Sequence, residues 1–212
     1  GGSVPRPGEV SLAHNGVLFL DELPEFARDT LEVLRQPLED GKVTVSRVHG
    51  TASYPCRFML VAAMNPCKCG YLGHPTRECT CTPSAVDAYR RRISGPLLDR
   101  IDMQLEVTAV PVRQITESAP EEPSADIHKR VQAARERQQK RYAGEGISCN
   151  AELSARQLET FCPLDDACRE LLGKACDTYH LSMRAVSRVR KVARTIADLA
   201  GAEEIGRAHL LE

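Results

Sequence analysis

The chain has 212 residues, 42% of them hydrophobic and 27% charged, a balance that suits a folded globular protein and argues against wholesale disorder. Its 28 basic and 29 acidic side chains leave a net charge of −1, so no global field marks a nucleic-acid binder, although a local basic face stays open to that role. The longest apolar run, Phe58 to Met64, falls far short of the roughly 20 residues that cross a bilayer. Gly1-Gly2-Ser3-Val4-Pro5 has neither a basic start nor an apolar stretch of the secretory kind. No membrane partner and a reducing, cytoplasmic compartment are expected. There the nine cysteines are better read as thiols or metal ligands than as a disulfide framework.

In chain order, Asn15-Gly16 turns into Val17-Leu18-Phe19-Leu20, a continuous apolar run that ends in Asp21-Glu22. Such a run suits a strand buried on both faces of a helix-covered parallel sheet. A helix is expected from Glu25, with Phe26, Leu31, Leu34 and Leu38 as its apolar stripe and Pro37 at its frayed end. Asp40-Gly41 then turns into an exposed hairpin around Val43-Thr44-Val45. A second buried strand, Phe58 to Met64, ends at Asn65-Pro66, and a third is expected from Ile101 to Val107. Strand–helix–strand order over residues 1–112 predicts an α/β domain. The polar, proline-bearing stretch at 113–123 reads as a linker. Residues 124–212 read as helical throughout: Ser124 to Tyr142, Ser154 to Phe161, Leu164 to Tyr179, Ser182 to Leu199 and a last turn from Ala202. On the fourth of these, Val186, Val189, Val192, Ile196 and Leu199 recur at helical spacing and predict its buried face.

Two acids at the end of a buried strand sit where burying charge is costly. They either cap the following helix or do chemistry. In the chemical reading Asp21 holds Mg²⁺ and Glu22 orients and deprotonates a water that attacks a γ-phosphate. Asn65 ends the second strand at what would be the same sheet edge, where ligands of open α/β sheets bind, and so shares that water. Arg100, in Gly95-Pro96-Leu97-Leu98-Asp99-Arg100-Ile101-Asp102, is placed to project towards a neighbouring subunit's phosphate, or else pairs with Asp99 or Asp102 on the surface. Arg184 opens a helix behind Ser182. A cation there opposes the helix dipole and points to an anionic partner, with ordinary solvation as the alternative.

Gly16 to Glu22 resembles the Walker B motif of AAA+ ATPases, and Asn65, Arg100 and Arg184 match sensor 1, the arginine finger and sensor 2 in order and context. Pro5 to His14, Gln36 to Gly41, Ala63 to Cys67, Gly95 to Asp102 and Lys191 to Leu199 narrow the resemblance to the magnesium chelatase-like ATPases of the ComM/YifB type. The resemblance implies a partial AAA+ P-loop NTPase core followed by an all-α lid, working with ATP and Mg²⁺ as a homo-hexamer. For the ComM type it further implies a DNA-translocating or branch-migrating motor linked to natural transformation. For true chelatases it implies a subunit driving Mg²⁺ insertion into a porphyrin. Neither Gly41-Lys42-Val43 nor Gly173-Lys174-Ala175 supplies the Gly-Lys-Ser/Thr phosphate grip of the family. The segment is therefore expected to be the latter part of such a core, inactive by itself.

Cys67, Cys69, Cys79 and Cys81 bracket a turn-rich loop and suit a tetrahedral zinc site, with His74 as a substitute ligand and free thiols or a disulfide as alternatives. A non-catalytic zinc-bearing interaction domain is a separate possibility, but it has no use for Asp21, Glu22, Asn65, Arg100 and Arg184 together. Between Lys129 and Arg141 six basic residues face the single acid Glu136, which makes either a solvated helix face or a salt-sensitive contact with a DNA backbone. The hairpin at Val43–Val48, with Lys42, Arg47 and His49, resembles in position the one that reaches the central pore in related motors.

Overall fold

A computed structural model describes residues 4–108 and 121–212. The chain divides into two compact units, Gly1–Val110 and Pro111–Glu212. It is a mixed α/β protein with a small parallel sheet and many helices. Of the expected linker, residues 113–120 lie outside the described residues.

The first unit runs α1 (Glu9–Leu12), β1 (Val17–Leu20), a 3-10 turn (Leu23–Glu25), α2 (Arg28–Val33), α3 (Arg35–Asp40), β2 (Lys42–Arg47), β3 (Gly50–Pro55), β4 (Met59–Ala62), α4 (Pro83–Arg90) and α5 (Gly95–Leu98). β1 and β4 form a two-stranded parallel sheet in the register Val17↔Met59 to Leu20↔Ala62. Leu18 and Leu20 rest on a core of Leu23, Leu31, Leu34, Ile93 and Leu97. The run is not buried on both faces as its apolarity suggested. Val17 and Phe19 are exposed, as are Met59 and Val61 beside them, because among the described residues the core packs against one face only.

The single expected helix after Glu25 is two short ones broken at Leu34. Pro37 causes the break. Its ring would strike the carbonyl of Val33, four residues back, so a continuous helix is impossible and Pro37 takes its place inside the first turn of α3. The predicted stripe survives, with Leu31 and Leu34 buried and Phe26 and Leu38 packed against them. Gly41 closes α3 in the left-handed region (φ 62°), and any side chain there would also crowd Arg57 at 3.0 Å. The antiparallel hairpin β2–β3 follows, in the register Lys42↔Pro55 to Arg47↔Gly50. The third strand expected at 101–107 is absent. Residues 101–108 have no regular structure, and Met103, Leu105 and Val107 are exposed. Among the described residues no strand pairs with this segment, and a strand without a partner leaves its backbone groups to water.

In the second unit every regular element among the described residues is helical: α6 (Ser124–Arg141), a 3-10 turn (Asn150–Glu152), α7 (Ala155–Phe161), α8 (Asp166–Tyr179), α9 (Met183–Ala200) and α10 (Arg207–Leu211). Side-chain caps start three of them. Ser154 and Gln157 form a reciprocal capping box on α7, Asp165 accepts from the Cys168 N–H, and Ser182 accepts from the Ala185 N–H. Tyr142, Leu153, Leu158, Cys162, Leu164, Cys168, Ala193 and Ile205 make the apolar core.

The deepest face of α9 is not the valine row. Ala193, Arg194, Ala197 and Asp198 are buried, whereas Leu199 is 43% exposed. Asp198, fully buried, accepts from Arg141 Nη1 at 2.9 Å and Nη2 at 2.5 Å, from Arg194 Nη2 at 3.0 Å and from Asn150 Nδ2 at 2.9 Å. Arg194 also donates to the carbonyls of Ala202 and Glu203, and Tyr142 donates its hydroxyl to Asn150 at 2.6 Å. The small alanines let α9 approach its neighbours closely enough for this network to close. Burial works to raise the Asp198 pKa, but Arg141, Asn150 and Arg194 overcome it and hold the carboxyl below its ordinary 3.8.

A depressed folded-state pKa stabilises the fold above the unfolded value and loses that contribution as pH falls through the folded one. The Asp198 contribution is therefore complete above about pH 4 and drains away in more acid solution. Asp198→Ala takes the carboxylate from the buried Arg194 and the partly buried Arg141 and is expected to cost about 3–5 kcal/mol in urea denaturation of the second unit. A loss below about 1 kcal/mol would show the network to be incidental.

Candidate functional site

Parallel pairing sends both strands off the sheet in the same direction. The ladder continues past its last strand pair, with the Ala63 N–H donating to Leu20 O and the Leu23 N–H to Ala63 O, each at 2.9 Å. Asp21-Glu22 and Asn65 therefore leave the sheet at one common end, and all three are exposed. The chain turns sharply there. Glu22 stands in the left-handed region (φ 50°, ψ 45°), where a non-glycine residue is strained, and its N–H donates to Asp21 Oδ1 at 2.8 Å. Buried Leu23 and Pro24 directly behind it hold the turn in place.

Arg100 belongs to the same unit but does not project. Its side chain is 12% exposed and engages the Glu39 carboxylate, while Nη1 donates to Pro96 O at 2.7 Å. Neither Asp99 nor Asp102 is its ion-pair partner. With no strand following it, the residue turns back onto α3. Arg184 lies in the second unit, exposed in the first turn of α9 behind the Ser182 cap. Of the five residues read from the sequence as a nucleotide site, three leave the sheet at one end, one is drawn to Glu39, and one stands in the other unit.

Cys67, Cys69, Cys79 and Cys81 bring their sulfurs together, all four within 4.8 Å of one another. The separations Cys67–Cys69, Cys67–Cys79 and Cys69–Cys79 are 3.4, 3.6 and 3.5 Å. A tetrahedral site with metal–sulfur bonds of about 2.3 Å has edges of about 3.8 Å, so the cluster has the dimensions of a metal cage. Backbone N–H groups point at the sulfurs: those of Leu72 and Gly70 at Cys67, of Tyr71 and Thr80 at Cys69, of Cys81 at Cys79 and of Cys69 at Cys81. Donors of this kind favour thiolates. The Tyr71 N–H in particular draws Cys69 down to about 5. Cys79, although the Cys81 N–H favours its thiolate, is pushed up to about 12 by loss of solvent and by the adjacent Cys69 and Cys67 sulfurs. The donor set is that of a soft or borderline metal ion such as Zn²⁺. His74 is not part of it. Its Nδ1 accepts from the N–H groups of Thr76 and Arg77 and thereby fixes the loop between the cysteine pairs.

Sequence reasoning missed Tyr89 and the residues around it. Tyr89 is buried, its phenolic oxygen accepts from the Asn65 N–H, and burial pushes its pKa up, so it remains a neutral phenol. Arg90 Nε donates to Pro66 O at 3.4 Å, and Arg92 pairs with Glu25 at 3.1 Å. The helical start at Thr82-Pro83 was a readable signal; the partners of α4 were not. Of the basic residues on α6, Arg137 donates to the Asp198 carbonyl and Arg141 binds its carboxylate. Lys129 and Arg130 pair with Asp126 and Glu122. The face is less free for an anion than the residue count suggested.

Residues 1–115 match the family described as "Magnesium chelatase, subunit ChlI", and residues 121–212 match its C-terminal family, "Magnesium chelatase, subunit ChlI C-terminal". The chain belongs to the magnesium chelatase family. Within it, the chain is 46% identical over its whole length to the uncharacterized protein YifB of Salmonella typhimurium, 47% to that of Escherichia coli and 45% to competence protein ComM of Haemophilus influenzae. It spans 41% of the length of each of these relatives. Among the described residues no helix is long and apolar enough to cross a membrane.

The left-handed Glu22 generates a simple test. Glu22→Gly removes the carboxylate yet relieves the backbone, so the first unit is expected to gain roughly 0.5–1 kcal/mol against urea. A loss of stability would mean that the turn is unstrained.

Proposed function

We propose that this chain forms part of an ATP-hydrolysing AAA+ motor of the ComM/YifB type that moves or remodels DNA. The observation that carries the reading is the shared sheet end of Asp21, Glu22 and Asn65, set by the β1–β4 register. Asp21 would hold Mg²⁺ beside the nucleotide, and that ion supplies charge stabilisation to the phosphoryl group. Glu22 takes the proton from the attacking water, and Asn65 holds the same water from β4. The strained turn at Glu22 bends the chain out of the strand direction at the exposed acid pair, which suits a base that must reach a ligand above the strand ends.

Arg100 acts on a neighbouring subunit's nucleotide in a hexamer, exchanging the Glu39 carboxylate for phosphate oxygens of similar geometry. Arg184 binds nucleotide from a helical lid formed by the second unit. The similarity to a relative named competence protein supports DNA as substrate. So does the exposed β2–β3 hairpin, with Lys42 and Arg47 at its ends and His49 in its turn. The four cysteines hold Zn²⁺ as a structural ion.

In the intact gene product, Glu22→Gln is expected to lower ATP turnover by about a hundredfold or more while leaving ATP binding in place. Retained turnover would sink the assignment of the base. Binding of forked DNA should weaken steeply between low and physiological salt, as backbone contacts require. Protein purified without chelator should contain one zinc per chain, and metal-free protein would remove the zinc assignment.

A further inference from the structure

The cysteine loop begins and ends beside the proposed water-holding residue. Cys67 lies two positions after Asn65, and Cys81 lies two positions before α4, whose Thr82 cap accepts from the Ala85 N–H at 3.3 Å. α4 then runs back to the start of the loop. The Tyr89 oxygen accepts from the Asn65 N–H, and Arg90 Nε donates to Pro66 O at 3.4 Å. Just beyond the helix, Arg92 reaches Glu25, in the turn that follows Glu22, at 3.1 Å. Chain, sulfur cluster, helix and phenol thus make a closed circuit around one peptide group.

The geometry points to a brace. Tyr89 is a positioning residue for Asn65, and the metal held by Cys67, Cys69, Cys79 and Cys81 closes the circuit that keeps Tyr89 against the Asn65 peptide. This rests on the zinc and Asn65 roles proposed above and adds what the metal does. Asn65 lies three residues past the end of β4, beyond the last ladder hydrogen bonds at Ala63, so its orientation depends on what lies behind it. The loop of 15 residues from Cys67 through Cys81 would cost conformational entropy to hold in place. Four metal–sulfur bonds remove most of that freedom and fix the distance from Asn65 to the start of α4. The buried Tyr89 supplies a polar contact across the gap, beside that of Arg90 with Pro66 O. A neutral phenol accepts this hydrogen bond without introducing a charge that would compete for the water.

The test is amide hydrogen exchange resolved at Asn65 on this 212-residue chain, with zinc content measured on the same samples. Tyr89→Phe deletes only the accepting oxygen. It should retain one zinc per chain and exchange the Asn65 amide roughly five- to tenfold faster, with the α9 amides unchanged. Zinc removal by chelator, and Cys81→Ser, should each speed exchange at Asn65 by at least as much, again without change in α9. Unchanged Asn65 exchange in Tyr89→Phe overturns the positioning role of Tyr89. Zinc-free protein with Asn65 still protected overturns the metal's part in it. Absence of zinc from the purified wild-type chain instead overturns the metal assignment itself. None of these readouts depends on ATP turnover, so they stand apart from the fate of the motor reading.

Discussion

The hydrogen bonds that lay β4 alongside β1 in parallel set more than a small sheet. Two strands running the same way must release their chains at the same end, and what each sequence places just past its last ladder position becomes a neighbour of the other. Asp21-Glu22 and Asn65 are separated by more than forty residues, two short helices and a hairpin, yet a single register brings them to one edge. An antiparallel arrangement of the same segments would put the acids and the amide at opposite ends. The remaining features of the first unit serve this edge. The core of Leu23, Leu31, Leu34, Ile93 and Leu97 fixes one sheet face and the turn behind Glu22, and α4 comes back to the peptide of Asn65.

What could be read from residues alone follows from how local each feature is. The apolar run ending in Asp21-Glu22, the hairpin after Asp40-Gly41 and the helix start at Ser182 are short-range patterns, and the structure has all of them. The grouping of four cysteines was also visible, because ligands spaced two apart on either side of a turn-rich loop leave few other geometries. Features decided by distant partners were not legible. Pro37 was recognised as a helix breaker but placed one helix too early, since whether a proline ends one helix or starts another depends on what the next turn packs against. The segment at 101–107 has the composition of a strand without a partner to make it one.

The second unit shows the same limit at its core. Hydrophobic spacing selected Val186, Val189, Val192, Ile196 and Leu199 on α9, whereas the deepest positions are two alanines with an arginine and an aspartate. Periodicity weighs side chains by polarity and cannot foresee that Arg141, Asn150 and Arg194 will satisfy a carboxylate in the interior. Likewise the basic character of α6 suggested an outward role, yet Arg137 and Arg141 turn to Asp198. Arg100 is the counterpart in the first unit. A residue singled out as a reaching group is held by Glu39, and any anion it takes must displace that carboxylate.

The Asp198 network bears on how the helical unit responds to its surroundings. Ions within it are shielded from the bath, so added salt, which weakens exposed pairs such as Lys129–Asp126, leaves it largely untouched. The penalty for stripping water from these charges also shrinks on warming, as the hydration of ions becomes less favourable. A core tied together by guanidinium and carboxylate therefore keeps its cohesion in heat and brine better than its modest apolar content alone would provide.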